Sequence, residues 1–218
     1  MIGAVIAMQS EADILLNTMK ISRSLTVSGK EVHIGSIFGK EIAVCVCGVG
    51  KVNAALGAQL LISKFDVQKL FNLGVAGGLN ASTELCSVYQ IEAAVQFDFD
   101  LTQLNGTKIG TLDEYSENYL PLNTLELPFA VKKLGTSDRF NDSPVDYNLL
   151  TQELKADIRD MEGAAIAQAA IKAQLPVYSV KAISDVAGSG STTEQFLINK
   201  DRALKNLQAA LPVIFERL

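Results

Sequence analysis

The sequence predicts an α/β fold, and three observations predict it. Short apolar runs of strand length recur at residues 2–8, 41–47, 67–73 and 177–183. Amphipathic or Ala-rich stretches that read as helices, at residues 52–65, 163–173 and 193–218, separate or follow them. Several of the strands end abruptly in acids or glycines, and the outer carboxyl ends of strands are where open α/β sheets hold their ligands.

Residues 2–8 (IGAVIAM) read as a central strand. Ser10 is expected to cap a helix from Glu11 to about Met19, with Glu11 in its first turn. Residues 25–28, 31–38 and 41–47 are spaced as consecutive hairpins around Gly29 and Gly39. The third strand runs into Gly48-Val49-Gly50-Lys51 and a helix over residues 52–65. That turn is not a phosphate loop, because Cys45 and Val52 stand where Gly and Ser or Thr are needed. Residues 67–73 form a strand opening into the small-residue turn of residues 74–79. Residues 85–97 are strand-like, and Asp98 and Asp100 read as a surface-facing acid pair. Residues 105–128 are irregular, and such a long ordered loop is often functional. A strand at 131–136, a helix at 147–155, an Ala-rich helix at 163–173 with Glu162 at its start, the strand at 177–185 and a C-terminal helix with a bend at Pro212 complete the chain.

Composition excludes several functions. The chain has 218 residues and a formal charge of −5, with no basic stripe, so nucleic-acid binding has no support. No apolar run reaches about 18 residues, so no membrane span is expected. No secretory signal is read at the N-terminus. Cys45, Cys47 and Cys86 fit reduced thiols in a cytosolic protein. His33 is the only histidine, read at a surface or edge position, so His-based triads and zinc centres are not expected, and no metal or cofactor is called for.

The candidate site gathers at strand ends: Met8 to Glu11, Gly48 to Lys51, Gly74 to Gly78 and Ser184-Asp185, with Glu162 at a helix start. An acid at any one of these places can serve merely as a cap or a helix-dipole partner. Their repetition at sheet ends that one fold brings to the same side points to an enzyme using carboxylates. The residues alone do not name the substrate.

At these same residues the chain resembles the nucleoside phosphorylase/nucleosidase superfamily, in particular its 5′-methylthioadenosine/S-adenosylhomocysteine nucleosidases. The resemblance rests on IGAVIAMQSE (2–11), GVGKVNAALGAQLL (48–61), NLGVAGGL (72–79), DMEGAAIA (160–167) and KAISDVAG (181–188), in the family's order and across nearly the whole chain. It implies a single domain over residues 1–218, a three-layer α/β sandwich with a central mixed, twisted sheet, and a homodimer. It implies hydrolysis of an adenine nucleoside to adenine and a thioribose, without metal or cofactor. Asp185 resembles the acid that protonates the leaving purine, and Glu11 the group that positions or activates water. Glu162 resembles the acceptor of the ribose hydroxyls, with Met161 beside the sugar. Phe140 resembles the ring that stacks on the base, and Met8, Val49 and Val75 the lining of the sugar end. Ser184 and Lys181 complete the implied substrate-binding set.

The chain departs from the family pattern in places. Lys181 stands where Arg is frequent, replacing a fork of donors by a point charge. Leu104 stands where an aromatic often closes the site, and the shortened loop of residues 188–193 lacks the aromatic that usually covers the alkylthio group. The segment between residues 121 and 131 is shorter than usual. A phosphorylase is the nearest rival, but it needs basic groups for phosphate, and only Lys51 stands near the turns. A non-catalytic nucleoside-binding protein on the same fold is the third reading.

Overall fold

The computed structural model describes residues 1–218. In chain order the elements are β1 (Ile2–Ile6), α1 (Gln9–Leu16), β2 (Lys20–Val27), β3 (Lys30–Ile37), β4 (Lys40–Val46) and α2 (Lys51–Lys64). Then come β5 (Lys69–Gly78), β6 (Val88–Gln96), α3 (Thr102–Asn105), β7 (Leu120–Pro121), β8 (Val131–Thr136) and α4 (Pro144–Asn148), which runs on as a π-helical turn over Leu149–Leu154. The chain ends with β9 (Ile158–Asp160), α5 (Gly163–Lys172), β10 (Val177–Val186) and α6 (Thr192–Arg217).

All ten strands join one mixed sheet, ordered β10-β6-β8-β9-β5-β1-β4-β3-β2, with β7 on β6. Because β10 also pairs with β5, five strands (β5, β9, β8, β6 and β10) close into a ring, while β1, β4, β3 and β2 extend from it as an open sheet. The two halves meet at β5, which is buried along almost its whole length. One apolar core lies under α2 and α5, where Ala54, Ala58, Ala164 and Ala167 let helix backbones approach closely. A second lies between the opposite face and α1 and α6, around Phe71, Leu207, Leu211 and Phe215. These are the three layers expected from the sequence.

The hairpins form as predicted. Ser28-Gly29 and Phe38-Gly39 all take positive φ, the conformation whose twist suits a two-residue connection between antiparallel strands. Elsewhere the structure corrects the sequence reading. Helix α1 begins at Gln9, with Ser10 inside it, and it is the Glu11 carboxylate that accepts the Met8 N–H at 3.1 Å. Residues 74–78 are not a turn: β5 continues through them to Gly78. Asp98 is not surface-facing, since its side chain is mostly buried and takes the Lys51 ammonium at 2.6 Å. His33 sits on β3 between two strands, its ring bonded to Ser24 at 2.8 Å, rather than at a sheet edge. No helix is long and apolar enough to cross a membrane.

Phe71 is fully buried on β5 and meets Phe215 of α6 edge to face at 5.8 Å, joining the sheet to the C-terminal helix. Phe71→Ala is expected to destabilise the protein by about 3–5 kcal/mol in urea unfolding, as cavities left by buried aromatics do.

Candidate active site

The carboxyl ends of β1, β4, β5 and β10 open together onto one cavity of about 370 Å³. Glu11, Glu162, Ser184 and Asp185 line it, as do Met8, Val49, Val75, Phe140 and Met161. Of the ten residues given catalytic or substrate-binding roles by the resemblance, only Lys181 does not reach the cavity surface. It lies behind the acids, 2% exposed, with its ammonium 2.9 Å from Asp160.

Glu11, Glu162 and Asp160 are each fixed by backbone N–H groups. Glu11 Oε1 accepts the Val75 N–H at 2.8 Å and Oε2 that of Met8 at 3.1 Å, which sets the carboxylate at the junction of β1 and β5. Gly74 makes the approach possible, because a Cβ there would stand 2.4 Å from Glu11 Oε1. Glu162 Oε1 accepts the Gly50 N–H at 2.9 Å. Gly50 has φ of 101°, a conformation that glycine reaches without strain, and the next amide, Lys51 N–H, is held by Asp138 at 2.7 Å. Asp160 takes the Thr136 hydroxyl at 2.6 Å, the Gly163 N–H at 2.9 Å and Lys181, tying the start of α5 to β8 and β10.

Ser184 and Asp185 are consecutive, and in a regular strand they would face opposite sides. The β5–β10 register shifts between Ile183 and Asp185, so Ser184 is an extra residue in the ladder. This bulge lets both side chains reach the cavity, as bulges beside active sites do. The Ser184 hydroxyl donates to Asp185 Oδ2 at 2.8 Å, leaving Oδ1 without a partner. Gly77 on β5 is again the residue that leaves room, since a Cβ there would be 2.8 Å from Oδ1.

Burial dominates the electrostatics. It raises the Glu11 carboxyl above its ordinary value, against the pull of Lys181 and two backbone N–H groups. Burial, then the Asp160 charge, pushes Glu162 up to about 7. Burial also raises Asp185, opposed by the Ser184 hydroxyl and the Arg159 guanidinium. For Lys181 burial works against the charge, but Asp160, Glu162 and Glu11 together hold it above the usual lysine range. The cavity therefore holds carboxyl groups whose protonated form burial favours, with Glu162 poised to exchange its proton near neutral pH.

The sequence reading missed Arg159, Asp160 and, on α6, Thr193, Phe196 and Leu197. Arg159 and Asp160 come from β9, a three-residue strand too short to show a pattern. Phe196 of α6 lines the cavity and meets Phe140 edge to face at 5.7 Å, supplying an aromatic wall although the preceding loop has none. Leu104 is exposed and stands outside the cavity lining. No group of three or more His, Cys, Asp and Glu side chains is arranged to hold a metal ion.

A carboxyl group whose folded value is raised stabilises the fold fully at low pH, and that stabilisation is lost as pH rises through the folded value. For Glu162 the loss falls between about 4.5 and about 7. Glu162→Gln keeps an acceptor for Gly50 and is expected to raise the thermal midpoint by a few degrees at pH 8, with the gain shrinking toward pH 5 in differential scanning calorimetry.

The family model of the phosphorylase superfamily matches residues 1–214. The 5′-methylthioadenosine/S-adenosylhomocysteine nucleosidase of Marinomonas sp. (strain MWYL1) is 32% identical over 205 residues, 87% of each chain. The crystal structure of such a nucleosidase from Colwellia psychrerythraea 34H in complex with adenine has a TM-score of 0.88 at 26% identity, covering 96% of this chain and 92% of that one. That of Helicobacter pylori with butyl-thio-DADMe-Immucillin-A shares the fold at a TM-score of 0.91 and 24% identity, over 100% and 98% of the two chains. Matched over nearly its whole length by the family and by these relatives, the chain belongs to the phosphorylase superfamily, among its 5′-methylthioadenosine/S-adenosylhomocysteine nucleosidases.

Proposed function

We propose that this protein hydrolyses the N-glycosidic bond of adenine nucleosides, 5′-methylthioadenosine and S-adenosylhomocysteine, to adenine and the thioribose sugar. The observation that carries the reading is the convergence of Glu11, Glu162 and Asp185 on one cavity whose only basic lining residue is Arg159, beside Asp185. On the Glu11 side no cation is free to hold phosphate: Lys51 is engaged by Asp98, and Lys181 by Asp160. Water is thus the nucleophile that the site can manage.

In this reading Asp185, whose carboxyl burial pushes above the usual carboxylate range, gives its proton to N7 of the purine as the bond from C1′ to N9 breaks. Glu11, fixed by two N–H groups, orients the water and takes its proton. Glu162 accepts the ribose hydroxyls and, with Asp160, stabilises the oxocarbenium-like sugar as positive charge develops. Phe140 and Phe196 flank the base, and Met8, Val49, Val75 and Met161 cover the sugar. Lys181 moderates the charge of the acids from behind and does not touch substrate.

The same reading includes a homodimer in the cytoplasm. The exposed Val49, Val52 and Leu56, at the start and along one side of α2, offer an apolar surface for a second copy, and the three free, buried cysteines suit a reducing compartment.

Product analysis with 5′-methylthioadenosine is expected to give free adenine and free methylthioribose at the same rate with and without phosphate. A requirement for phosphate, with sugar 1-phosphate formed, would make the protein a phosphorylase instead. Asp185→Asn is expected to lower kcat by roughly 10²–10⁴ while a substrate analogue still binds in calorimetry. The pH dependence of kcat/KM is expected to be bell-shaped. Its acid limb reflects Glu11 and Glu162, both needed ionised and both raised by burial, Glu162 to about 7. Its basic limb reflects Asp185, which must be protonated.

A further inference from the structure

Arg159 occupies a place in the cavity that the hydrolytic mechanism leaves unexplained. Its Nη1 donates to the Asn141 carbonyl at 2.6 Å. Its Nη2 lies 3.8 Å from Asp185 Oδ1 and 4.0 Å from Asp142 Oδ1, too far for a hydrogen bond to either. Nη2 and Asp185 Oδ1 are both buried without a hydrogen-bond partner, and both residues line the cavity. Leaving a buried donor unsatisfied is costly, so two such atoms side by side mark a space built for a polar edge. The backbone is shaped for the pair: a Cβ on Gly77 would stand 2.8 Å from Asp185 Oδ1 and 3.1 Å from Arg159 Nε.

The chemistry of that edge follows if Asp185 protonates N7, the role assigned under the proposed function, on which this inference rests. On a purine the substituent next to N7 is the one on C6. A guanidinium has donors and no acceptor, so it cannot receive a hydrogen from a 6-amino group, whereas it pairs well with a 6-oxo group. The same geometry lets arginine read the O6 and N7 edge of guanine. The nearby main-chain acceptor, the Asn141 carbonyl, already accepts from Nη1 and keeps one lone pair, the only one here that a 6-amino group could use.

We propose that the site also hydrolyses nucleosides of 6-oxopurines, with Arg159 Nη2 donating to O6 of the base as Asp185 serves N7. The bonds change as in the adenine reaction. The water oxygen joins C1′, the C1′–N9 electron pair passes to the base, Asp185 protonates N7, and Glu11 takes the water proton. Negative charge spreading onto O6 as the base departs is stabilised by the fixed guanidinium. Arg159 is thereby a specificity-determining residue of the base end.

The test compares kcat/KM for 5′-methylthioinosine and 5′-methylthioadenosine in the wild type and in Arg159→Gln. The wild type is expected to cleave both, and the substitution to lower the inosine-to-adenosine ratio by about tenfold to a hundredfold, the discrimination typical of one good base contact. An equal loss on both substrates, or an unchanged ratio, would make Arg159 structural and overturn the proposal. Inhibition of the wild type by free hypoxanthine and free adenine gives a second readout should the variant not fold, with hypoxanthine expected to bind within tenfold of adenine. A wild type that cleaves methylthioadenosine but not methylthioinosine, and ignores hypoxanthine, would refute this inference and leave the hydrolase reading intact. Turnover of neither nucleoside would remove both.

Discussion

One buried cation organises this molecule. Lys181 is 2% exposed on β10, bonded to Asp160 on β9, with Glu11 and Glu162 close enough to shift its titration. Three acids around one ammonium leave an excess of negative charge in a low-dielectric space, which such a site relieves by holding a proton. Without Lys181 the cluster would lose its only counter-charge, and an uncompensated buried charge is among the costliest defects a fold can carry. A lysine does this as a point charge. It makes one short bond, to Asp160, and acts on the other two acids through the field alone, which leaves their oxygens to backbone N–H groups and to a ligand.

The acids can crowd together because β5 withdraws. Lys181 pairs with Gly74 across the β5–β10 ladder, and Arg159 pairs with Gly77 across the β5–β9 ladder. At both places a side chain on β5 would collide with a functional group, Glu11 at the first and Asp185 with Arg159 at the second. The small residues of NLGVAGGL thus weaken the strand to let carboxylates reach its surface, a cost met by burying β5 between β1, β9 and β10.

Much of this was legible in the sequence. Apolar runs that stop at an acid or a glycine mark both the strand and the place where it delivers chemistry, so Glu11, Glu162, Ser184 and Asp185 could be found before the fold was known. What escaped has physical reasons. A run of small residues carries no periodicity, so Gly74 to Gly78 read as a turn when it is the buried end of strand β5. Strand β9 spans only Ile158–Asp160, so Arg159 and Asp160 stood in a stretch with no pattern to read. Asp98 alternates with phenylalanines as a surface acid would, and its partner Lys51 is 47 residues away, beyond any local signal. Phe196 looks like any apolar residue of a helix until the tertiary fold turns it toward Phe140.

The bulge in β10 makes strand length as important as side-chain identity. Ser184 is the one residue between Ile183 and Asp185 that the β5 ladder does not count. Were Ser184 instead paired with Gly77 in a regular ladder, Asp185 would fall opposite Gly78 and point to the other face. Substitutions around the cavity leave this register in place, whereas a one-position slip of β10 against β5 moves the acid off Gly77 and out of its site. What the cavity accepts can therefore change by substitution alone, while the placing of Asp185 in it depends on the register of β10 against β5.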